Sequence, residues 1–593
     1  MKKTSSTFVW PQWLGHVAAL VVMTLFSLWG AKALFHPGLY TAHDIWHQVA
    51  RLYHYSQALQ DGQFLPMWVG TLAFGYGYPL FIFSYHLPWL IAIPFLGAGM
   101  SVFATLKTLF GLSLIVSAVT MYVCVYYLTK SKLGSLVAAV IYAWAPYHFL
   151  SIYVSASIGN AWSFVFVPLL AWGLALVLDK KRTGGIVLIA LSVAALILTH
   201  LMTLVLVLPP MILWFGIQWL IRWWPQREVH ELKLSFLTLA AGIGLAFVIT
   251  AFYLVPLITY LPIINAGQQG SGFKGLYERN LVTLKQLIYS PWGFGPIVDN
   301  AKDGEISFQV GIAQWLAMGM AGLAWLAVLI KSRKNDAALL ALGTAYAFTI
   351  LLMIDISKPL WLVVDSAISI DYPFRLLLVA VFFGSLAAGY VIAQLPWKFI
   401  KVIVSVLLIG VAVYTNRNHI RVNQYTDVPL QLYIDSELTT NTFHEYLPKG
   451  QGMVDPWVGN PLARSPLLSS EQLQARGLTT QVGERYPSTK LSQTTTQLEF
   501  VVQLEKDSDV ALHHYVFPGI KVLVNGQPVE FELDANTVIF KRLPAGEHTI
   551  TIRYERPSWV YLGYLVSLLG LGSTGYLGYR ALSTPRSTHQ RKS

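Results

Sequence analysis

Residues 80–99 read LFIFSYHLPWLIAIPFLGAG, and whether this stretch crosses a membrane decides the fold of everything around it. By length and apolarity it qualifies as a span, since about 18 to 20 apolar residues cross a bilayer as a helix. Counting it as one, however, pushes the basic cluster TKSK at 129–132 to the side opposite the other Lys and Arg clusters. Its His86-Leu87-Pro88 interruption argues the same way, because a broken apolar segment is tolerated where protein covers it and not as a lipid-exposed rod. The stretch is therefore read as a re-entrant or interfacial helix, and residues 36–101 become one long loop on the outer face.

With that reading the remaining charge falls into place. MKK at 1–3, TKSK at 129–132, KKR at 180–182, RWWPQREVHELK at 222–233, KSRK at 331–334 and RSTHQRKS at 586–593 all lie on one side, the cytoplasmic one by the positive-inside bias. Spans are expected near 13–35, 102–128, 133–152, 157–178, 184–199, 203–224, 234–258, 309–331, 337–355, 374–396, 397–415 and 558–581, with both termini inside. The chain of 593 residues is 55% hydrophobic and 12% charged, with a mean hydropathy of +0.53, outside the range of soluble domains. It is read as a polytopic α-helical membrane protein of about twelve transmembrane helices, integral to the cytoplasmic membrane. Its net charge of +12 sits largely in the helix-end clusters, so nucleic acid is not an expected partner. MKKTSS leads into an apolar run without a small-residue cleavage site, which reads as an uncleaved first helix. The single cysteine, Cys124, excludes an intrachain disulfide.

Four parts follow. Residues 1–415 form the transmembrane domain, and 416–496, rich in Thr, Gln, Ser and Pro, form an extracytoplasmic connector with short helices. Residues 497–557 carry short alternating runs, LEFVVQLE, ALHHYVF, IKVLV, VEFEL, TVIFKRL and HTITIRYE, which predict a small antiparallel β-sandwich. Asn525-Gly526 predicts a tight hairpin between two of them. Residues 558–593 supply a last helix and a basic tail.

Ionisable residues near a membrane face protein or water and mark function, and the unusual ones gather on the outer face. Asp44 follows the first span and begins an amphipathic helix containing His47 and Arg51, with His43 beside it. It reads either as a helix cap or as a carboxylate that accepts a proton or holds a divalent metal, Mg or Mn. His43 and His47 at i, i+4 are weaker metal ligands, since no third ligand is identifiable. Tyr76 and Tyr78 in GYGYP present flat faces to sugars or anchor at the interface. His200 sits where two apolar helices turn. Asp371 and Arg375 are one turn apart, either a local ion pair or a guanidinium aimed at a phosphate. Lys274, Glu278, Arg279 and Lys285 read as a solvated loop that could also hold an anionic head group.

HDIWHQVAR, GYGYPLFIF, PYHFLSIYV, LTHLMTLVL, DYPFRLLLVA, HEYLP and FPGIKVLVNGQPVEF followed by LPAGEHTITIRYE occur in an order that resembles the GT-C superfamily of integral membrane glycosyltransferases. More narrowly the chain resembles the 6-pyruvoyl-tetrahydropterin synthase related membrane proteins, relatives of the YfhO-like group, a label that implies no pterin chemistry. The resemblance implies a polyprenyl-phosphate-linked sugar as donor, transferred on the outer face to an envelope glycan, lipid or protein. Asp44 would then be the general base or a metal ligand, and Arg375, with His200 or Arg51, would hold the phosphate. Where relatives carry an Arg and a Glu, this chain reads Tyr153-Val154-Ser155-Ala156-Ser157-Ile158-Gly159-Asn160, which implies that Ser and Asn hydrogen bonding replaces an ion pair or that substrate or metal use differs. A flippase for lipid-linked glycans and a non-catalytic scaffold are the alternatives.

Overall fold

The computed structural model describes residues 12–223, 229–265, 275–296, 300–332, 336–434, 446–451, 488–534 and 537–583. The basic clusters at 1–3 and 586–593, Lys274, the first two residues of HEYLP and most of the 416–496 connector's second half lie outside these residues. Polar residues set the starts of several apolar helices. Ser101 accepts from Ala104 N ahead of Val102–Thr129, Ser131 from Gly134 N ahead of Lys132–Ala143, and Asp336 from Ala338 and Leu339 N ahead of Ala337–Met353. Each satisfies an N–H that has no acceptor within its own helix.

Among the described residues nine helices are long and apolar enough to cross a membrane, or up to eleven if two bent pairs each count as one span. The architecture is that of a multi-pass membrane protein. The expected figure of about twelve is reached only by also dividing the run Arg182–Trp223. As a straight rod that run would measure about 63 Å, twice a bilayer core. It is instead folded back at His200, whose φ of −164° and ψ of 89° leave the helical region. Its two ends meet: Lys180 Nζ lies 4.2 Å over the Trp223 ring, and Arg222 Nη1 lies 3.3 Å from Asp179 Oδ1.

That hairpin orients the bundle. Lys180, Arg182, Arg222 and Glu231 gather at one end. From there the 21-residue helix Ile158–Leu178 runs about 31 Å to Ser157 and Asn160, the thickness of a hydrocarbon core. Residues 80–99 do not cross. They form Leu80–Phe83 and Leu87–Gly97, interrupted at Ser84–His86, and the longer has 11 residues, or about 16 Å. Buried His86 is held there by Tyr55, whose hydroxyl lies 3.1 Å from Nδ1.

Ten strands complete the described chain. A short pair, β1 (Leu39–Tyr40) and β2 (Tyr425–Thr426), ties the 36–101 loop to the segment after Lys398–Asn416. The C-terminal region holds β3 (Ser488–Gln493), β4 (Gln497–Leu504), β5 (Ser508–His513), β6 (Ile520–Val524), β7 (Gln527–Pro528), β8 (Glu532–Asp534), β9 (Thr537–Leu543) and β10 (Gly546–Tyr554). They form two antiparallel sheets, β3-β4-β10-β6-β7 and β5-β9-β8. Buried residues of both, including Val502, Ile550, Leu512 and Phe540, share one apolar cluster. Asn525 and Gly526, both at positive φ, make the expected tight turn, but the strand paired with β6 is β7 and not VEFEL, whose Glu532 and Leu533 belong to β8 in the other sheet. β3 lies inside the stretch expected to be irregular; STKLSQ is an edge strand whose composition carries little apolar alternation.

The sheets dock on the 36–101 loop. Asp61 Oδ2 accepts from both the N–H and the hydroxyl of Thr495 at 2.7 Å, and Tyr515 N donates to Tyr76 O at 2.8 Å. Trp68 stacks on Phe517 and Tyr554. Behind Trp68 lies Gly77 at φ +85°, where a Cβ would stand 2.0 Å from the indole, so the second glycine of GYGYP is what lets this aromatic seam close.

Candidate active site

The segment leading to Asp44 is pinned from several sides. The Lys107 ammonium, largely buried, donates to the carbonyls of His36, Pro37 and Gly38. Tyr40 OH donates to Ile152 O at 2.8 Å, and the β1–β2 pair holds Leu39 and Tyr40. His43 N and Asp44 N then donate to Val154 O and Ser155 O, each at 2.9 Å. The stretch 150–155 offers these carbonyls because it winds as a π-helical turn. An i→i+5 turn of this kind interrupts the regular ladder, and such turns recur at functional sites.

Asp44 occupies the N-cap position of Ile45–Gln60 yet makes no capping hydrogen bond with its side chain. The helix-cap reading is thereby removed. Half-buried, the carboxylate instead lines a cavity of about 360 Å³ together with His43, Asn160, Asp371 and Arg375. Tyr147, Ser157, Pro296, Phe308 and Tyr372 also contribute to its wall.

Across that cavity Asp371 and Arg375 form an ion pair, with Nη1 at 2.5 Å from Oδ1 and 2.6 Å from Oδ2. Both side chains are mostly buried, 13% and 15% exposed. The local-pair reading of DYPFR therefore holds without exhausting the guanidinium. Asp371 engages one terminal nitrogen, and the remaining N–H groups make no hydrogen bond to any described residue. The guanidinium lies 4.7 Å from the Tyr372 ring centre. Burial raises the Tyr372 phenol above its ordinary pKa, so it meets a ligand as an O–H donor.

Asn160 is positioned from behind. Its Oδ1 accepts from Thr203 Oγ1 at 3.0 Å, while Thr203 N donates to His200 Nδ1 at 3.2 Å. The amide nitrogen is what Asn160 has left for the cavity. His200 thus reaches the site through Thr203 and does not line it. The helices approach closely because residue 159 is glycine: a Cβ there would stand 2.6 Å from Thr199 O. In the segment where an Arg and a Glu are missing, Ser155 Oγ bonds Leu150 O and Asn160 bonds Thr203. The two replacements do not bond each other.

Other expected residues face elsewhere. His47 and Arg51 lie further along the Asp44 helix, and neither lines the cavity. Arg51 acts on the Tyr85 phenol, whose hydroxyl donates to Gln48. Tyr76 and Tyr78 are buried in the seam with the sheets and connector: Tyr76 packs on Tyr515, and Tyr78 OH accepts from Tyr446 N at 3.0 Å. Glu278, Arg279 and Lys285 are absent from the cavity wall. Sequence reasoning missed Tyr147, Pro296, Phe308 and Tyr372. DYPFR itself contained Tyr372, but aromatic and apolar residues elsewhere give no signal in an apolar chain.

No group of three His, Cys, Asp or Glu placed to hold a metal occurs among the described residues. Asp44 is the uncommitted carboxylate, Asp371 is engaged by Arg375, and His43 Nε2 lies 3.1 Å from Gly295 O. This donor set does not by itself make a metal cage.

No family model matches the chain. An uncharacterized protein of Lactococcus lactis subsp. cremoris (strain MG1363) is 24% identical over 277 residues, 46% of this chain and 44% of that protein. The arabinofuranosyltransferase AftD from Mycobacteria is similar in structure at a TM-score of 0.46 and 13% identity, over 92% of this chain and 40% of that one. The chain therefore spans less than half the length of either.

Proposed function

We propose that the protein is a GT-C-type membrane glycosyltransferase. In this reading it moves a sugar from a polyprenyl-phosphate donor to an envelope glycan, lipid or protein acceptor on the extracytoplasmic face. The observation that carries it is one cavity in which the uncapped Asp44 carboxylate and the partly engaged Arg375 guanidinium both take part. Such a pair suits an inverting displacement. The acceptor hydroxyl oxygen bonds to the anomeric carbon as its proton passes to Asp44, and the bond from that carbon to the phosphate oxygen breaks. The electron pair leaves with the polyprenyl phosphate, whose charge the free N–H groups of Arg375 stabilise. Asp371 holds the guanidinium in register for this, and Asn160 and Tyr372 orient hydroxyls or phosphate oxygens. Among the described residues no metal ligand set is complete, and Asp44 is the carboxylate that would contribute to one.

The two C-terminal sheets are read as a β-sandwich that braces the outer loop through Asp61, Trp68 and Tyr76. The test is sugar transfer in membranes carrying a polyprenyl-phosphate-linked sugar pool, comparing the native protein with Asp44→Asn. Loss of a general base lowers transfer by roughly 10²- to 10⁴-fold. Undiminished transfer would remove the base role and leave the flippase or scaffold readings.

A further inference from the structure

The helix Ala337–Met353 has 17 residues and runs about 25 Å, most of a hydrocarbon core. Carboxylates mark both of its ends. Asp336 caps the start, and Asp355 follows Met353 with its side chain half exposed and 2.5 Å from Lys302 Nζ. The chain then bends by 85° and continues as the helix Lys358–Asp365. Charged groups open to solvent place this bend at the water boundary, since they are costly deeper in a membrane. A helix of eight residues is about 12 Å long and cannot complete a second crossing. Leaving a span at nearly a right angle, it lies close to the membrane plane.

Its two faces differ. Ser357, Trp361 and Asp365, each one turn from the next, are buried. Ser357 Oγ and Trp361 Nε1 donate to Leu352 O at 3.0 and 2.8 Å, and Asp365 accepts from Gly275 N at 3.1 Å and Ile370 N at 3.3 Å. Ile356, Leu360, Leu362 and Val363 turn away from the protein and are 46% to 70% exposed. Ile356, Leu360 and Val363 are spaced as one helical face with Leu362 at its flank, and Lys358, 3.5 Å from Asp355, stands at its edge. Because both ends of the helix are fixed on the protein, this face is presented in one orientation.

The apolar surface continues beyond the helix. Leu351, on the span itself, is exposed, and so are Leu284, Ile288 and Tyr289 at the short helix Leu284–Ile288. That helix is held at the same level. Val282 N donates to Met353 O at 2.9 Å, and Gln286 Nε2 donates to Ala301 O and Lys302 O beside the Lys302–Asp355 pair.

We propose that Lys358–Asp365 is a membrane-seated helix, its Leu360, Leu362 and Val363 sunk about 5 to 10 Å into the boundary between head groups and acyl chains. Its partner is the lipid of the leaflet at the cavity end of the bundle, because the exposed face offers neither donor nor acceptor and adjoins the lipid-facing side of a span. The seat also sets a level. Asp365 holds Ile370 N, and Asn280 Nδ2 donates to Asp371 O at 3.2 Å, so the Asp371 wall of the cavity is tied to a helix at head-group depth. A substrate carried on a lipid would bring its polar end to that depth, a consequence that rests on the transfer reaction proposed above; the seating itself does not.

The experiment uses the full chain in phosphatidylcholine nanodiscs. Cys124 is buried and is retained, with the native chain as the labelling blank. Leu360→Cys and Val363→Cys, both at exposed positions, each carry an environment-sensitive fluorophore, and Leu351→Cys on the span and Leu533→Cys on β8 serve as references. Labels at 360 and 363 should lose most of their emission to lipids bearing a nitroxide high on the acyl chain and little to a water-soluble nickel chelate, as at 351 and the reverse of 533. Quenching by the chelate to the level seen at 533 would overturn the seating. Shielding from both quenchers would also overturn it, and would assign the face to a second copy of the chain. No sugar transfer enters the readout, so a failed glycosyltransferase reading leaves this result unaffected.

Discussion

The two ends of the helical bundle use charge in opposite ways. At the basic end the ionic groups satisfy one another: Arg182 lies 2.6 Å and Lys180 3.5 Å from Glu231, and Arg222 lies 3.3 Å from Asp179. Lys130 and Lys181 lie over the Tyr127 ring. At the other end Asp44 lacks even the cap its position invites, and Arg375 gives Asp371 one nitrogen only. Partly exposed pairs contribute little to stability, so the basic end tells how the helices are oriented and little else. A half-buried carboxylate that lines a protein-walled cavity and makes no side-chain hydrogen bond to any described residue is a candidate for use.

The contrast can be broken at either end. The largest effect is expected from Asp44→Asn, which should abolish most transfer, by roughly 10²- to 10⁴-fold, and leave the thermal midpoint where it was. A midpoint that falls together with activity would show the carboxylate to be structural. Next is Asp371→Ala, which leaves a mostly buried guanidinium unpaired and should cost about 3 to 5 kcal/mol in denaturant unfolding. If it costs no more than a surface pair, the cavity's ion pair is no different from those at the basic end.

Between these extremes stands the seam that joins the sheets to the 36–101 loop. His514 is buried there beside Trp68, and burial lowers its pKa to about 4. Unfolded, it titrates near its ordinary value of about 6.5. Its contribution to stability is therefore complete above about pH 6.5 and falls as pH drops toward 4, by up to about 3 kcal/mol. Protease sensitivity of the sheets measured across that window should rise on acidification, and His514→Phe should remove this residue's share of the slope. A slope unchanged in His514→Phe would assign it to other buried histidines, such as His54, also lowered to about 4. The smallest effect is expected at the basic end: Glu231→Gln should change unfolding free energy by less than about 1 kcal/mol. A larger loss would mean that these pairs hold the hairpin together and do more than orient it.

The positions on the cavity were legible to unequal degrees. Asp44, His43, Asn160, Asp371 and Arg375 stand out in the chain because polar residues at the ends of apolar helices are conspicuous, and the fold brings all five to one wall. His47, Arg51, Tyr76, Tyr78 and His200 are conspicuous on the same grounds but point into packed protein or act through a neighbour. Direction is the missing quantity, since which way a side chain faces is set by what its helix packs against. Tyr147 and Phe308 could not be picked out, as their neighbours along the chain are just as apolar. His200 shows the converse. The turn expected at Thr199-His200 is present, and its role is to position Thr203 and, through it, Asn160.

By itself the sequence determined the layers. Charge parity and the His86-Leu87-Pro88 interruption, and not apolar length, set 80–99 apart from the helices that can cross a bilayer, and clustered Lys and Arg set one end apart from the other. Alternation near the C-terminus does the same for the sheets. Only the tertiary structure decided which charges are spent. Asp44 and Asp371 are both carboxylates at helix starts on the same face, indistinguishable by composition. One is closed by an Arg a single turn away, and the other makes no side-chain hydrogen bond to any described residue, a difference set by what packs around each helix start.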